Sequence, residues 1–347
     1  MSALQIESRL VGAQQPVLVV AEIGVNHDGS VQRALELVRH AAAAGADAVK
    51  LQIFRAAALA GADTPLAAYQ RQSGMSSDQA TMLARLELSA RDLGEIVSAI
   101  RAAGMLPLAT PFSPADVDTV AALGLPAVKI ASPDLINRVL LRRAAALGKP
   151  LLLSTGACEW REIETAARWL DGWGAHYALL HCISAYPAAE QEANLCWIGE
   201  LAARFGVPAG FSDHSTSEIM GALAVAAGAA IVEKHLTYDR NATGPDHRLS
   251  ADPAEFARYV GAIRLAEAAR GRPGRRVLEC EHEVRRLSRQ SLALARDVPA
   301  GHIIGDADLT TRRPGTGIPP AELDSVVGRR MRLAAAAGTL LRREMME

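Results

Sequence analysis

The chain has 347 residues, half of them hydrophobic, which is enough to bury one large core and leave material for a smaller second domain. A formal net charge of −1 argues against general binding to nucleic acid or to an anionic membrane, and no run approaches the ~20 apolar residues of a membrane span. Cys158, Cys182, Cys196 and Cys280 lack CxxC spacing and read as free thiols of a reducing compartment; "MSALQIESRL" has no apolar leader region, so the expectation is a soluble cytoplasmic protein.

In chain order, the candidate strands are "VLVVAEIG", "DAVKLQIF", "MLPLAT", "AVKIAS", "PLLLST", "YALLHCIS", "PAGFSD" and "AIVEKH". Helix-period stretches separate them, among them "SVQRALELVRHAAAAG", "SARDLGEIVSAIRAAG", "PADVDTVAALG" and "EIETAARWL". Eight strand–helix units over residues 1–270, with continuously apolar strands, predict an α/β fold of the (β/α)8 TIM-barrel type. A doubly wound sheet shares the alternation but usually carries a glycine-rich phosphate fingerprint, and neither GxGxxG nor GxxxxGK[ST] occurs. Residues 271–288 are polar and charged, as a linker would be, and 289–347 form a compact segment of short strands and turns. Residues 271–347 hold 14 arginines, no lysine and 10 acidic residues, a net of +4, against 23 basic and 28 acidic residues elsewhere, a net of −5. Electrostatic complementarity between the two parts explains this asymmetry more simply than a nucleic-acid ligand does.

In a barrel of this kind the reacting groups project from the carboxyl ends of the strands. Those ends read Glu22 with Asn26 and His27; Lys50 and Gln52; Thr110; Lys129 and Ser132; Ser154 and Thr155; His181, Ser184 and Tyr186; Ser212, Asp213 and His214; and Glu233, Lys234 and His235. A lone Ser or Thr there is ordinarily a cap or a satisfied loop residue, but eight polar strand ends together point to a site. Only four of the 37 basic residues are lysine, and three of them, Lys50, Lys129 and Lys234, end strands. That usage suggests a need for compact ammonium charges, for phosphate, carboxylate or a Schiff base. His214 and His235 end successive strands, so their imidazoles could share a divalent metal, be it manganese, magnesium, zinc or cobalt.

Taken together, "AEIGVNHDGS", "GADAVKLQIF", "ATPFS", "VKIASPDLIN", "LLLSTG", "YALLHCISAYP", "GFSDHST" and "IVEKHLTYDRNATGPDH" resemble, in order and spacing, the sialic acid synthases, which include N-acetylneuraminate-, legionaminate- and pseudaminate-type enzymes. "SLALARDVPAGHIIGDADLTTRRPGTGI" is similar to the antifreeze-like (SAF, β-clip) domain that ends those proteins. "AAYQRQSG" and "QATMLARLELS" look like an insertion after the second strand found in many bacterial members.

The resemblance implies condensation of phosphoenolpyruvate with the open-chain aldehyde of an N-acyl-mannosamine-like sugar and water, giving a nonulosonic acid and phosphate with C–O cleavage. A di-N-acetylated, phosphorylated or non-hexose acceptor is the variant reading. It implies a divalent metal on His214 and His235, with Mn2+ ahead of Mg2+ or Co2+. Lys50, Thr110, Lys129, Ser132, Ser154, Ser184 and Ser212 would bind phosphoenolpyruvate. Gln52, Tyr186 and Asp246 would line the sugar side. Arg313 would reach the sugar from the partner subunit of a domain-exchanged homodimer. Glu22, Lys129 and Asp134 would take part in catalysis. At 133–134 this chain has Pro-Asp where many relatives place Glu two residues after the Ser of the "KI.S" motif, and Ser184 stands where some have Asn. Aspartate is shorter by one methylene, and a displacement of that order can cost about 10²-fold in rate. Two rival readings are a Schiff-base aldolase using Lys129, Lys50 or Lys234, and a non-catalytic sugar-binding protein.

Overall fold

The computed structural model describes residues 3–59 and 78–347, so the "AAYQRQSG" part of the expected insertion lies outside the described residues. Contacts divide the chain into two compact units, Met1–Arg272 and Pro273–Glu347.

The first unit opens with an antiparallel hairpin of β1 (Leu4–Ile6) and β2 (Arg9–Val11). Eight parallel strands follow: β3 (Leu18–Gly24), β4 (Ala48–Ile53), β5 (Leu106–Pro111), β6 (Val128–Ile130), β7 (Leu151–Ser154), β8 (Tyr177–Cys182), β9 (Ala209–Asp213) and β10 (Ile231–His235). They close into a barrel when β10 pairs with β3, Ile231 opposite Leu18 and His235 opposite Glu22. Each predicted strand is present, its ends shifted inward by up to two residues except that β5 runs one residue further, to Pro111. The hairpin was not expected, because its three-residue strands are too short to carry a period.

Local signals start the helices between the strands. Ser30 accepts a hydrogen bond from the Arg33 amide ahead of helix Val31–Ala43, and Ser89 with Asp92 forms a capping box for Ala90–Ala102. Pro114 occupies the first turn behind Ser113, and Asp252 with Glu255 boxes the start of Pro253–Arg270. Helix Gln79–Leu86 corresponds to the described part of the insertion. Among the described residues, no helix is long and apolar enough to cross a membrane.

Strand alternation builds two cores. Outward residues such as Val19, Val49, Ile130, Leu153 and Val232 pack against the helices. Inward residues Leu18, Val20, Leu108, Leu152, Leu180 and Ile231 fill the lower barrel, where Leu4, Ile6 and Val11 of the hairpin join them as a floor. Each such buried aliphatic side chain contributes about 1.5–3 kcal/mol through removal from water. The inward positions above this packed floor are polar, so the barrel is apolar below and charged at its mouth.

The second unit holds a short helix, His282–Ser288, within the stretch read as a linker. Beyond it β11 (Ser291–Leu294) pairs antiparallel with β12 (Leu309–Arg312). Leu292, Leu294, Val298, Ile304, Val326, Met331 and Leu341 form its core. Asp308 ties its turns together, accepting from Arg296 Nε at 2.6 Å and the Gly305 amide at 2.9 Å, with His302 Nε2 at 2.7 Å.

Candidate active site

The inward residues at the carboxyl ends of the barrel strands meet in a cavity of about 450 Å³. Lys50, Gln52, Thr110, Lys129, Ser132, Asp134, Ser154, Tyr186, Ser212, His214, His235 and Asp246, singled out in the sequence, all line it, together with Glu233 and Cys182.

One wall is cationic. Lys129 Nζ donates to Ser154 Oγ at 2.6 Å and to the Ile130 carbonyl at 2.9 Å, and Lys50 Nζ donates to Thr110 Oγ1 at 3.1 Å. Burial draws Lys129 down to about 8, against the upward pull of nearby Glu233. Ser132 Oγ accepts the Gly156 amide at 2.9 Å, which joins the β6 and β7 ends.

Two buried carboxylates share Lys50. Glu22 Oε2 lies 2.6 Å from its Nζ and Glu233 Oε1 lies 3.6 Å away. Burial raises Glu22 to about 7, with Lys50 opposing and the Glu233 charge adding to the rise. Burial would also raise Glu233, but Lys50, Lys129 and the Ser212 hydroxyl at 2.9 Å together outweigh it and hold this carboxyl low. Although Lys50 is nearer Glu22, Glu233 has the additional cation and hydroxyl, so Glu233 is the ionised member of a coupled pair. Gly24 makes this packing feasible: its φ is +33°, at a register shift in β3, and a Cβ there would strike the Glu22 carboxylate and the Gln52 amide.

The opposite wall carries the imidazoles. The His214 and His235 rings are 5.5 Å apart, and Tyr186 packs 4.4 Å from His214. His214 Nδ1 lies 2.9 Å from the Ile183 carbonyl, which leaves Nε2 for the cavity. Burial, with His214 and Lys50 close by, holds His235 well below the ordinary histidine range, so its ring is neutral. Its Nδ1 is buried without a hydrogen-bond partner, 3.7 Å from Asp246 Oδ2. A neutral imidazole with an orphaned nitrogen beside a second imidazole fits a divalent ion. Among the described residues no group of three His, Cys, Asp or Glu side chains is arranged to hold one alone, so water or substrate oxygens would complete the coordination.

Asp134 sits on the 3-10 turn Ser132–Ile136 that follows β6 and accepts from Asn137 Nδ2 at 3.0 Å. Burial raises its carboxyl above the ordinary range. Asp246 comes over the mouth on the loop after β10, held by its carbonyl, which accepts from Ser250 Oγ at 2.6 Å; Ser250 Oγ in turn accepts from Asn26 Nδ2.

Other strand-end residues face elsewhere. Ser184 lines a neighbouring cavity of about 690 Å³ with Trp160, Trp197 and Cys158, not the cavity that holds Lys129. His181 points out of the barrel, its Nε2 2.7 Å from the Ala193 carbonyl. Lys234 and Asp213 also face outward and pair with each other at 3.0 Å. Asn26 bonds the Leu236 carbonyl at 2.9 Å, and Thr155 Oγ1 bonds the Leu180 carbonyl. Arg313 belongs to the second unit, beyond β12. Glu233 was named among the polar strand ends but given no role, and Cys182 was not named as a site residue, although alternation from His235 and from Leu180 places each on an inward position.

Comparison with known proteins identifies the family. Residues 37–275 match the NeuB family and residues 289–347 match the SAF domain. The N,N'-diacetyllegionaminic acid synthase of Legionella pneumophila is 38% identical over 345 residues, covering 97% of this chain and 96% of that protein. The enzyme of the same name from Campylobacter jejuni is 35% identical, covering 90% and 95%. The crystal structure of the N-acetylneuraminic acid (sialic acid) synthetase of Leptospira borgpetersenii, in complex with citrate, superposes with a TM-score of 0.73 at 31% identity, covering 82% of this chain and 95% of that one. With an eight-stranded barrel, a matching C-terminal domain and relatives named as synthases of nonulosonic acids along nearly its whole length, the chain belongs to the NeuB family.

Proposed function

We propose that the chain joins phosphoenolpyruvate to the open-chain aldehyde of an N-acylated amino sugar, with water as third reactant, and releases a nonulosonic acid and phosphate. The observation that carries this reading is the division of one cavity into a wall of two buried lysines with hydroxyls and a facing wall of two imidazoles. A trianionic substrate with adjacent phosphate and carboxylate suits the first wall, and a carbonyl oxygen gaining negative charge suits the second.

In this reading Lys50, Lys129, Thr110, Ser132, Ser154 and Ser212 hold the phosphate and carboxylate of phosphoenolpyruvate. Ser184, which borders the neighbouring cavity, is given no contact in this reading. His214 and His235 would hold a divalent ion, Mn2+ being the first to test, which supplies Lewis acidity at the aldehyde oxygen. C3 of the enol forms the new bond to the aldehyde carbon, and the aldehyde oxygen takes up a proton to become a hydroxyl. Water adds at C2, its first proton passing to Asp134 or to the Glu22–Glu233 pair, and the C2–O bond to phosphate then breaks, the remaining hydroxyl proton leaving with phosphate as the ketone forms. Gln52, Tyr186 and Asp246 position the sugar, and Arg313 grips its acyl group from a partner subunit in a domain-exchanged dimer.

The legionaminic acid synthases at 38% and 35% identity favour a di-N-acetylated acceptor over a singly acetylated one. Incubating the protein and Mn2+ with phosphoenolpyruvate and either 2,4-diacetamido-2,4,6-trideoxymannose or N-acetylmannosamine, with mass detection of the keto acid, tests both points. Product from the diacetamido sugar alone supports the narrower reading; product from neither, with no phosphate released, rejects the reaction.

A further inference from the structure

Lys234 ends a barrel strand beside His235, and its ammonium is buried, yet it does not face the cavity. Strand alternation turns Glu233 and His235 inward and Lys234 outward, into the space between the barrel and helix Pro253–Arg270. There it meets Asp213, its register partner on β9. Lys234 Nζ lies 3.0 Å from Asp213 Oδ2 and also donates to the Ser215 carbonyl. Asp213 Oδ1 accepts the Ser215 amide at 2.8 Å, and its Oδ2 accepts Tyr259 OH at 2.8 Å. The ammonium stands 5.1 Å from the centre of the Tyr259 ring, which closes the remaining side. Gly221 makes room for that ring, since a Cβ there would meet Tyr259 Cζ at 2.5 Å.

Lys234 therefore grips the residues on both sides of His214, while being itself the neighbour of His235. One side chain ties together the two backbone segments that carry the imidazoles. All four groups are buried, with Lys234, Asp213, Tyr259 and Ser215 each no more than 2% exposed. A charge pair so placed loses rigidity and solvation together if one member is removed. Lysine suits this position better than arginine, because three donors on one compact head can serve a carboxylate and a carbonyl in a narrow space.

We propose that Lys234, acting through Asp213 and Ser215 with Tyr259 as support, is a positioning residue that sets the separation and aim of the His214 and His235 rings. The proposal rests on the metal-binding reading of those rings. It accounts for a strand-end lysine that the reaction itself does not use.

The test uses the full chain with two substitutions, Lys234→Met and Tyr259→Phe. Mn2+ affinity is measured by calorimetry and by the electron paramagnetic resonance of the free ion, and phosphoenolpyruvate affinity by equilibrium binding. Lys234→Met is expected to weaken Mn2+ by about 10-fold or more, the scale seen when a group supporting a metal ligand is removed. Tyr259→Phe, which deletes one hydrogen bond, is expected to weaken it about threefold. Phosphoenolpyruvate affinity should fall much less than Mn2+ affinity in both, because five of its six proposed ligands lie on or just after β4–β7 and only Ser212 shares β9 with Asp213. Folded variants with wild-type Mn2+ affinity would overturn the proposal, and so would an equal loss of phosphoenolpyruvate affinity. If Lys234→Met does not fold, Tyr259→Phe decides by the same criteria. A wild-type chain that takes up no Mn2+ would defeat the metal reading instead; the ring separation in crystals of the folded variant then decides, a shift from 5.5 Å supporting the positioning role and an unchanged value overturning it.

Discussion

Lys129 and Lys234 are both strand-end lysines, both 2% exposed, and both have a hydrogen-bonding partner on the neighbouring strand. Lys129 faces inward, its side-chain partner is the neutral hydroxyl of Ser154, and Glu233 acts on its charge only through space. Lys234 faces outward and is matched by Asp213. Of the inward lysines, Lys50 pairs with Glu22 while Lys129 is left to a hydroxyl and the cavity, whereas the outward Lys234 holds the wall. The same residue type at the same depth serves chemistry in one place and geometry in the other, and the direction of a single strand residue decides which.

The sharpest way to break this contrast is to remove what the inward layer is proposed to hold. Chelation by excess EDTA should abolish turnover and added Mn2+ should restore it, and His235→Ala should remove tight Mn2+ binding without altering the circular dichroism of the fold. Full activity in EDTA would leave the imidazole wall without its proposed purpose.

Next in size is the loss of the cation left to the cavity. Lys129→Ala should lower kcat/KM for phosphoenolpyruvate by about 10³-fold, the scale of losing a buried group that stabilises substrate charge. Borohydride with either substrate should trap no adduct on Lys129 or Lys50 if their role is the proposed electrostatic one; a stable adduct would favour the aldolase reading.

A smaller loss is expected at Asp134. Asp134→Ala should reduce kcat by about 10²-fold with little change in KM for phosphoenolpyruvate, consistent with a group that handles a proton. An unchanged kcat would move that duty to the Glu22–Glu233 pair.

The mildest test is pH. Because burial brings Lys129 down to about 8, and its protonated form is the one proposed to bind the anion, kcat/KM for phosphoenolpyruvate should decline as pH rises through that value, about tenfold per unit beyond it. Lys129→Arg should carry that alkaline limb out of reach, because a guanidinium stays charged. Lys234 gives no such limb, being withdrawn from the ligand.

The eight apolar runs that became β3–β10 were legible because a sheet buried on both faces leaves uninterrupted hydrophobic stretches. The inward polar residues at their ends were legible as a set. Alternation within each end was the information left unused: it separates Ser212 and His214 from Asp213, and Glu233 and His235 from Lys234. Counting lysines drew attention to Lys50, Lys129 and Lys234 alike, and only two of them line the cavity. Ser184 is a different case, since it lies beyond the end of β8, where the chain has left the strand and period two no longer holds, and it borders the neighbouring cavity. The hairpin β1–β2 escaped notice because three residues per strand cannot display a pattern, although Leu4, Ile6 and Val11 are the residues that close the barrel floor.

Both walls of the cavity are proposed to serve a condensation in which the C–O bond of phosphoenolpyruvate breaks. Phosphoenolpyruvate carrying 18-oxygen at the bridging position reports this directly when the products are separated and weighed. With Mn2+ and the diacetamido sugar, the label should leave entirely with phosphate, and the keto acid should gain its new oxygen from water. Label retained in the keto acid would mean cleavage at phosphorus, and would contradict the account.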